Sequence, residues 1–334
     1  MVKASKTASS NGLSSKERFK TAIKLQKPDR PPFNFWMDRR LMQRFDEELG
    51  KDFRVTHYGA DIIETFPLLD WPRGNGVLRD GSFWHTHPPL IEDWSKAKGL
   101  PMPNPAGPHV FSMINETLFS YPDKAVIVNI PGPFTVMHGL RLMDNLYTDV
   151  YDYPEEIHKL ARRIMKVQNT IIEEAVKLPV SGIYFQDDIA SSGGLLFSKD
   201  MCKEFILDYL KPGIEIAKNA GLPVLFHSDG AVIDILEELC LMGIDAINPL
   251  QPEFNNFDRF YQEFGNRLAV YGGIDNTKII PYGSKDDIRS HINMIFEKLG
   301  HNGGLMMSSH DIPFDCPKEN IDYMIETIKG CMYA

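Results

Sequence analysis

Residues 223–230 combine the residue types that metal ligation or proton transfer requires. Residues 223–226 suit a strand, His227, Ser228 and Asp229 follow them directly, and Gly230 permits a tight turn. A short apolar run of this kind is typical of a buried parallel strand that ends in functional side chains. An imidazole and a carboxylate two residues apart can ligate a metal or transfer a proton. Alternatively, His227 caps the strand by hydrogen-bonding to a neighbour.

The rest of the sequence predicts further strands, most of which alternate with helices. The predicted strands occupy residues 33–37, 60–66, 125–130, 182–186, 223–227, 244–248, 268–272 and 304–308. The predicted helices occupy residues 15–26, 39–49, 154–177, 198–219, 233–242, 257–264, 286–299 and 317–329. Such alternation implies an α/β fold with a parallel sheet, and eight units imply a (β/α)8 TIM barrel. An open doubly wound sheet is the alternative, but no G-x-G-x-x-G motif follows the first strand.

Polar residues end or follow these strands, and in a barrel they would meet at one mouth, where the active site lies. They are Asp38, Glu64, Asn129, Gln186, Asp187, Asp188, His227, Asp229, Asn248, Gln251, Asp275, Ser308, Ser309, His310 and Asp311. Carboxylates and imidazoles suit metal ligation or acid–base catalysis. None of the residues is a lysine, which disfavours Schiff-base chemistry.

Several of these residues also have purely structural interpretations. Asp187 and Asp188 could cap the loop that follows their strand, Asp275 could form a turn, and Glu64 could be a salt-bridge partner. The histidines at positions 85 and 87 have a ligand-like spacing, but two histidines do not specify a metal site. They could equally pack a loop.

An irregular segment follows the second predicted strand. Residues 68–123 are rich in proline, glycine and tryptophan and have poor periodicity, which indicates a functional or inserted substructure. We expect an elaboration beside the barrel mouth with a short hairpin at residues 76–85. Residues 1–14 are predicted to be a flexible tail, and residues 15–334 a single domain.

Composition excludes several classes of protein. The 334-residue chain has a formal net charge of −9 and no block of basic residues, which argues against broad nucleic-acid binding. No apolar run approaches the roughly 18 residues that cross a bilayer. The four cysteines are scattered and form no CxxC pair, as expected of reduced thiols in a cytoplasmic protein.

Motifs along nearly the whole chain resemble those of one superfamily. They are KPDRPP at 27–32, GADII at 59–63, GPFT at 132–135, HSDG at 227–230, PLQ at 249–251, GGID at 272–275, SSHDIP at 308–313 and CPKEN at 316–320. The chain thus resembles the uroporphyrinogen decarboxylase superfamily, which also contains the cobalamin-dependent methyltransferases. The resemblance implies a (β/α)8 barrel whose site lies at the carboxyl ends of the strands.

The chain departs from the decarboxylase branch of this superfamily. That branch has an arginine-rich signature after its first strand, which holds the propionates of a tetrapyrrole. Here the segment reads FWMDRRL at 35–41, with Asp38 where an arginine is expected. The tyrosine expected after the GPxT motif is replaced by MHG at 137–139. A substrate with many carboxylates needs cationic partners, so the resemblance is closer to the methyltransferase branch.

The methyltransferase branch typically binds zinc through His-x-Cys and a distant cysteine. The matching positions here are His227, Asp229 and His310, a harder ligand set that leaves a metal more Lewis-acidic. The resemblance therefore implies zinc-assisted methyl transfer between a small, O-methylated substrate and a corrinoid (cobalamin) carried by a partner protein. The acid–base or orienting groups would be Asp188, Glu64, Asp187 and Asp275. Substrate contacts would come from Trp36, Asp38, Trp71, Trp84, Phe134, His138, Gln186 and Asn248.

Two other hypotheses remain open. A metal-free decarboxylase would use aspartate and histidine groups to stabilise a protonated intermediate, and its activity would survive a chelator. A non-catalytic corrinoid- or tetrapyrrole-binding module would bind its cofactor tightly without turnover. The superfamily also implies a homodimer.

Overall fold

The strands form a curled parallel sheet in the computed structural model, which describes residues 12–72, 77–78 and 86–334. The strands of the described residues are β1 (Ile62–Thr65), β2 (Val77–Leu78), β3 (Thr86–His87), β4 (Ala125–Pro131), β5 (Gly182–Gln186), β6 (Ala190–Ser191), β7 (Gly194–Leu195), β8 (Val224–His227), β9 (Ala246–Asn248), β10 (Ala269–Ile274) and β11 (Leu305–Ser309). Seven of them form one sheet in the order β1-β4-β5-β8-β9-β10-β11. Every pairing in this sheet is parallel, as the alternation of strands and helices predicted.

The register of this sheet places polar strand ends side by side. Gln186 on β5 pairs with His227 on β8, and His227 pairs with Asn248 on β9. Side chains alternate between the two faces of a strand, so residues in register point to the same face. These three side chains therefore share the concave interior of the sheet.

The first predicted strand, residues 33–37, is not a regular strand, which corrects the expected count of eight. The segment makes two isolated parallel bridges, from Phe33 to Met307 in β11 and from Met37 to Ile312 just after β11. It also contacts the opposite edge of the sheet, because the N–H of Asp61 donates to the carbonyl of Phe33 at 2.8 Å. The two prolines just before it have no N–H to contribute to a ladder, so pairing is interrupted here.

Helices surround the sheet, with α1 at its amino-terminal end. They are α1 (Ser15–Ala22), α2 (Arg39–Leu49), α3 (Phe53–Thr56), α4 (Trp94–Ala97), α5 (Ser112–Ser120), α6 (Pro133–Arg141), α7 (Met143–Asp152), α8 (Pro154–Ala175), α9 (Lys199–Cys202), α10 (Asp208–Asn219), α11 (Leu236–Met242), α12 (Phe257–Phe264), α13 (Ile279–Tyr282), α14 (Lys285–Leu299) and α15 (Lys318–Gly330). Ser14 with Glu17 and Ser284 with Asp287 have the spacing that predicts a helix start, and both pairs form capping boxes, at α1 and α14. The predicted helix 198–219 is divided by a π-helix at Lys203–Leu207.

A small apolar core fills the amino-terminal half of the sheet interior. Its members come from α1 and from alternate positions of the strands: Phe19, Ala22, Ile23, Ile62, Ala125, Ile127, Tyr184, Leu225, Ala246, Ala269, Tyr271 and Met306. Because α1 covers this end of the sheet, any cavity must open at the carboxyl ends of the strands. The next interior layer toward those ends carries Glu64, Gln186, His227 and Asn248.

The irregular segment forms part of the wall beside the sheet. It contains α4 and α5, and β2 pairs with β3 in antiparallel register. Most of the predicted hairpin at residues 76–85, and the predicted tail apart from residues 12–14, lie outside the described residues. No helix in the described ranges has both the length and the apolar character that a membrane span requires.

Candidate metal centre

Three side chains converge at the carboxyl end of the sheet. His227 ends β8, Asp229 follows it, and His310 comes directly after β11. One ligand atom from each residue lies within 4.8 Å of the others. The imidazole rings of His227 and His310 stack with centroids 5.3 Å apart, and His310 Nε2 lies 3.6 Å from Asp229 Oδ2. The curl of the sheet brings together strands β8 and β11, which are not neighbours in it.

The donor atoms of this cluster fit a divalent metal. Asp229 Oδ1 is enclosed by the protein and has no hydrogen-bond partner. A buried carboxylate oxygen without a partner costs free energy that a bound cation would offset. Two imidazoles and one carboxylate are also a known protein ligand set for zinc, with a fourth position left for a substrate.

The protein determines which nitrogen of His227 faces the cluster. Its Nδ1 lies 2.6 Å from Asn248 Oδ1, and its Nε2 lies 3.5 Å from Asp188 Oδ1. Asp188 in turn accepts a hydrogen bond from the backbone N–H of Asp229 at 2.9 Å. Burial lowers the pKa of His227, but the carboxylates of Asp188 and Asp229 outweigh it and raise this pKa. The cluster is thus electrostatically suited to a cation.

A cavity of about 810 Å³ opens above the cluster. Its walls come from the irregular segment, from α6 and from the strand ends. The lining residues are Phe66, Pro67, Leu68, Leu69, Asp70, Trp71, Pro72, His109, Pro131, Thr135, Val136, His138, Gly139, Leu140, Gln186, Asp188, His227, His310 and Asp311. Among these described residues there is no lysine or arginine. The cavity therefore offers apolar contact, imidazoles and carboxylates to a ligand.

Five of the predicted site residues line this cavity: His138, Gln186, Asp188, His227 and His310. Trp71 also lies on its wall, as expected. Leu69, His109 and Thr135 line it as well, although sequence reasoning did not single them out. They lie on α6 and on the irregular segment, where no strand pattern indicated their direction. Trp84 lies outside the described residues.

Four other predicted residues have structural contacts and are not among the cavity-lining residues. Asp38 caps α2 by accepting the N–H of Arg40 at 2.8 Å. Glu64 Oε1 accepts hydrogen bonds from Trp36 Nε1 at 2.9 Å and from the Tyr271 hydroxyl at 2.7 Å. Phe134 is 2% exposed and packs in the larger hydrophobic core of the protein, apart from the small core inside the sheet. These placements disfavour direct substrate contact by Asp38, Trp36 and Phe134. Glu64 is a buried hydrogen-bond acceptor for two neighbouring side chains.

Asp187 and Asp275 also have mainly structural surroundings. Asp187 is fully buried and accepts the backbone N–H groups of Phe134 and Thr135 at the start of α6, at 3.2 and 2.6 Å. Asp275 Oδ1 accepts the N–H groups of Thr277 and Lys278, both at 2.8 Å, and so forms the turn after β10. Neither carboxylate is among the cavity-lining residues. Asp275 thus forms the turn that its structural interpretation describes, whereas Asp187 binds the start of α6, after β4, and not the loop after its own strand.

The pH dependence of folding offers a test of the environment of Asp187. Burial raises the pKa of this carboxyl from 3.8 to about 7, against the opposing hydrogen bonds of α6. Between these two pH values the folded state therefore holds a proton on Asp187 that the unfolded state has lost. The stabilisation of the folded state by this proton is complete below pH 3.8 and is lost as the pH rises through about 7. An Asp187→Asn variant does not titrate, so the wild type should lose up to about 1.4 kcal/mol per pH unit relative to it across that window. Denaturant unfolding of both proteins at several pH values measures this difference, and parallel profiles would contradict the shift.

Two buried tyrosines near the cluster were also not predicted as site residues. The hydroxyl of Tyr184 donates to Asn248 Oδ1 at 2.6 Å, and the backbone carbonyl of Tyr271 accepts from Asn248 Nδ2. Both residues occupy interior positions of their strands, so the period-2 pattern predicts their direction. Their hydrogen-bond partners come from distant strands, and only the folded chain identifies them.

Comparison with known proteins identifies the family of this chain. Residues 80–331, more than half of the chain, match the family model described as "Uroporphyrinogen decarboxylase (URO-D)". Uroporphyrinogen decarboxylase 2 of Arabidopsis thaliana, a chloroplastic protein, is 25% identical over 348 aligned positions that span 93% of this chain and 85% of the relative. The uroporphyrinogen decarboxylase of Chloroherpeton thalassium is 28% identical over 188 residues, 54% of this chain. In that second alignment the chain spans about half, 50%, of the relative's length.

A solved structure described as a methyltransferase from Methanosarcina mazei is similar in fold. It superposes with a TM-score of 0.71 at 16% sequence identity and covers 95% of this chain and 99% of that one. At this level of identity, the likeness demonstrates a shared fold and nothing further.

Proposed function

The chain belongs to the uroporphyrinogen decarboxylase family, and from that membership and the donor cluster we propose that it is a metal-assisted methyltransferase. It would move a methyl group between a small, O-methylated substrate and a corrinoid carried by a partner protein. The observation that carries the proposal is the convergence of His227, Asp229 and His310, in which one carboxylate oxygen of Asp229, Oδ1, is enclosed and without a hydrogen-bond partner. A metal-free reaction gives no reason to bury that oxygen unpaired.

In this proposal His227, Asp229 and His310 hold a zinc ion. When bound, zinc supplies Lewis acidity toward an ether oxygen, more so with imidazole and carboxylate ligands than with two thiolates. Asp188 lines the cavity beside the cluster and can deliver a proton to the substrate oxygen. In methyl transfer the corrinoid would supply the methyl acceptor, and the substrate oxygen would keep the bonding electron pair and take the proton.

The cavity supports a small apolar substrate better than a tetrapyrrole with many carboxylates. Its described walls carry aromatic and aliphatic side chains but no lysine or arginine. Multiple carboxylates require cationic partners such as arginine. Arg40, which lies within the segment that corresponds to the decarboxylase signature, is exposed and pairs with Asp38 at 3.0 Å.

The same family membership supports a closed form of the fold. Residues 33–37 contact both edges of the sheet. Phe33 bridges Met307 in β11, Met37 bridges Ile312 just after β11, and the carbonyl of Phe33 accepts the N–H of Asp61 just before β1. We infer that this segment takes the place of the eighth strand and completes a (β/α)8 barrel.

A metal-free decarboxylase is the second candidate, because the family model and the curated relatives are uroporphyrinogen decarboxylases. In that case Asp188 and His227 would stabilise a protonated intermediate in the same cavity. A strong chelator separates the two candidates, since decarboxylation without a metal would continue in its presence and zinc-assisted methyl transfer would stop.

Metal content is the direct test of the proposal. Purified protein should carry about one zinc per chain, as expected of a site with three protein ligands, and a His310→Ala variant should lose nearly all of it. The matched control is His301→Ala, because His301 is exposed and contacts the ring of Tyr261. Elemental analysis after removal of loosely bound metal gives the ratio. Absence of metal from the wild type after growth and purification with zinc would favour metal-free decarboxylation.

A further inference from the structure

Asn248 lies beside the metal cluster but is not among its ligands. We propose that Asn248 is a positioning residue that holds His227 in a single tautomer, with Nε2 unprotonated and available to a metal. This inference deepens the proposed function and rests on it, but the tautomer can be measured without any metal.

The orientation of the Asn248 amide follows from its partners. Its Nδ2 donates to the backbone carbonyl of Tyr271, a group that can only accept. The amide oxygen must therefore face the other way, where it lies 2.6 Å from the Tyr184 hydroxyl and 2.6 Å from His227 Nδ1. A flipped amide would set two acceptors against each other at Tyr271, so the flipped orientation is disfavoured.

This orientation determines the protonation of the imidazole. Asn248 Oδ1 can only accept a hydrogen bond, so His227 Nδ1 must carry the proton that it shares. A neutral imidazole has one N–H, and Nε2 is therefore left with a lone pair. That nitrogen lies on the side of Asp188, at 3.5 Å. The hydroxyl of Tyr184 donates a hydrogen bond to the other lone pair of the amide oxygen.

Burial makes the arrangement rigid. Asn248 is 5% exposed, and Tyr184 and Tyr271 are at most 1% exposed. With water excluded, breaking one of these hydrogen bonds leaves a buried polar group without a partner, which is costly. The Tyr271 hydroxyl is itself held by Glu64 at 2.7 Å. Glu64 thus supports the positioning of His227 from a distance instead of contacting the cavity.

The expected consequence is an effect on zinc affinity. Partners that orient a metal-binding histidine change affinity by about 10- to 100-fold when they are removed. Asn248→Leu has a similar size but no acceptor, so His227 would populate both tautomers and zinc should bind about 10- to 100-fold more weakly. Asn248→Asp keeps an acceptor oxygen facing Nδ1 and should retain the Nδ1–H tautomer, but its second oxygen replaces the donor to the Tyr271 carbonyl, so the variant should be less stable than the wild type.

Nuclear magnetic resonance tests the tautomer directly. Long-range ¹H–¹⁵N correlations of the metal-free protein, recorded at alkaline pH where the imidazole is neutral, distinguish an Nδ1–H from an Nε2–H form. The wild type should show His227 as Nδ1–H alone, and Asn248→Leu should show a mixture. An Nε2–H form in the wild type would overturn the proposal without recourse to any variant.

Zinc titration against a chromophoric chelator gives the second measurement. Asn302→Leu is the matched control, since Asn302 bonds weakly to Gly265 away from the cluster, at 3.4 Å. Wild-type affinity in Asn248→Leu would also overturn the inference. If the wild type shows the Nδ1–H tautomer but binds no zinc, the proposed function fails while the role of Asn248 in orienting His227 stands.

Discussion

Replacing His227 by alanine is expected to lower methyl transfer by about 10³-fold or more and to leave the fold intact. Metal assistance is worth several kcal/mol of transition-state stabilisation, and about 1.4 kcal/mol corresponds to a factor of ten in rate. The side chain supplies one of three donor atoms that lie within 4.8 Å of one another. Its Nδ1 shares one hydrogen bond with Asn248, and its ring contacts those of His310 and Tyr184, so few structural interactions are lost.

A panel of methoxylated compounds with a reduced corrinoid as methyl acceptor provides the assay, followed by the change in corrinoid absorbance. Circular dichroism and thermal unfolding check the fold of the variant. His301→Ala is again the control, because it removes a histidine at the protein surface. A fully active His227→Ala protein would refute the assignment of the metal centre.

Replacing Asp61 by alanine is expected to destabilise the protein by about 3–5 kcal/mol, the usual cost of removing one member of a buried ionic network. Asp61 is fully buried and accepts hydrogen bonds from Arg18 and Arg30, both at 2.7 Å, and from Ser15 at 2.8 Å. Without it, two guanidinium groups lose their shared carboxylate. Since Arg18 and Ser15 belong to α1, the change also weakens the attachment of this helix to the closed end of the sheet.

Denaturant unfolding of wild type and Asp61→Ala measures the loss. Asp258→Ala is the matched control, because its carboxylate pairs with Lys298 at the surface and is 62% exposed. That exposed pair should contribute less than about 1 kcal/mol. Equal losses in the two variants would contradict a special role for the buried network. A double variant, Arg30→Leu with Asp61→Leu, should recover part of the stability because it removes the guanidinium that loses its partner, while Arg18 keeps its salt bridge to Asp29 at 2.7 Å.

Local patterns in the sequence determined most of the fold. Apolar runs predicted seven of the strands that form the sheet, and the capping boxes at Ser14 and Ser284 predicted two helix starts. These signals depend on neighbouring residues, which a linear sequence contains. The parallel order of the strands followed from their alternation with helices. The same reasoning predicted that His227 and His310 lie at one end of the sheet, because both stand at the carboxyl ends of parallel strands.

Only the tertiary structure distinguished the candidate ligands and the cavity-lining residues from residues with structural roles. Asp187 and Asp188 are neighbours in sequence, yet Asp187 bonds to the start of α6 and Asp188 lines the cavity. Asn248 was predicted from the sequence to contact substrate, and the structure adds that it bonds to His227. Each outcome depends on groups that are distant in sequence, and the hydrogen-bond partner of a buried polar side chain exists only once the strands have packed. The sequence therefore determined which residues could do chemistry, and the packing of the strands decided which of them meet.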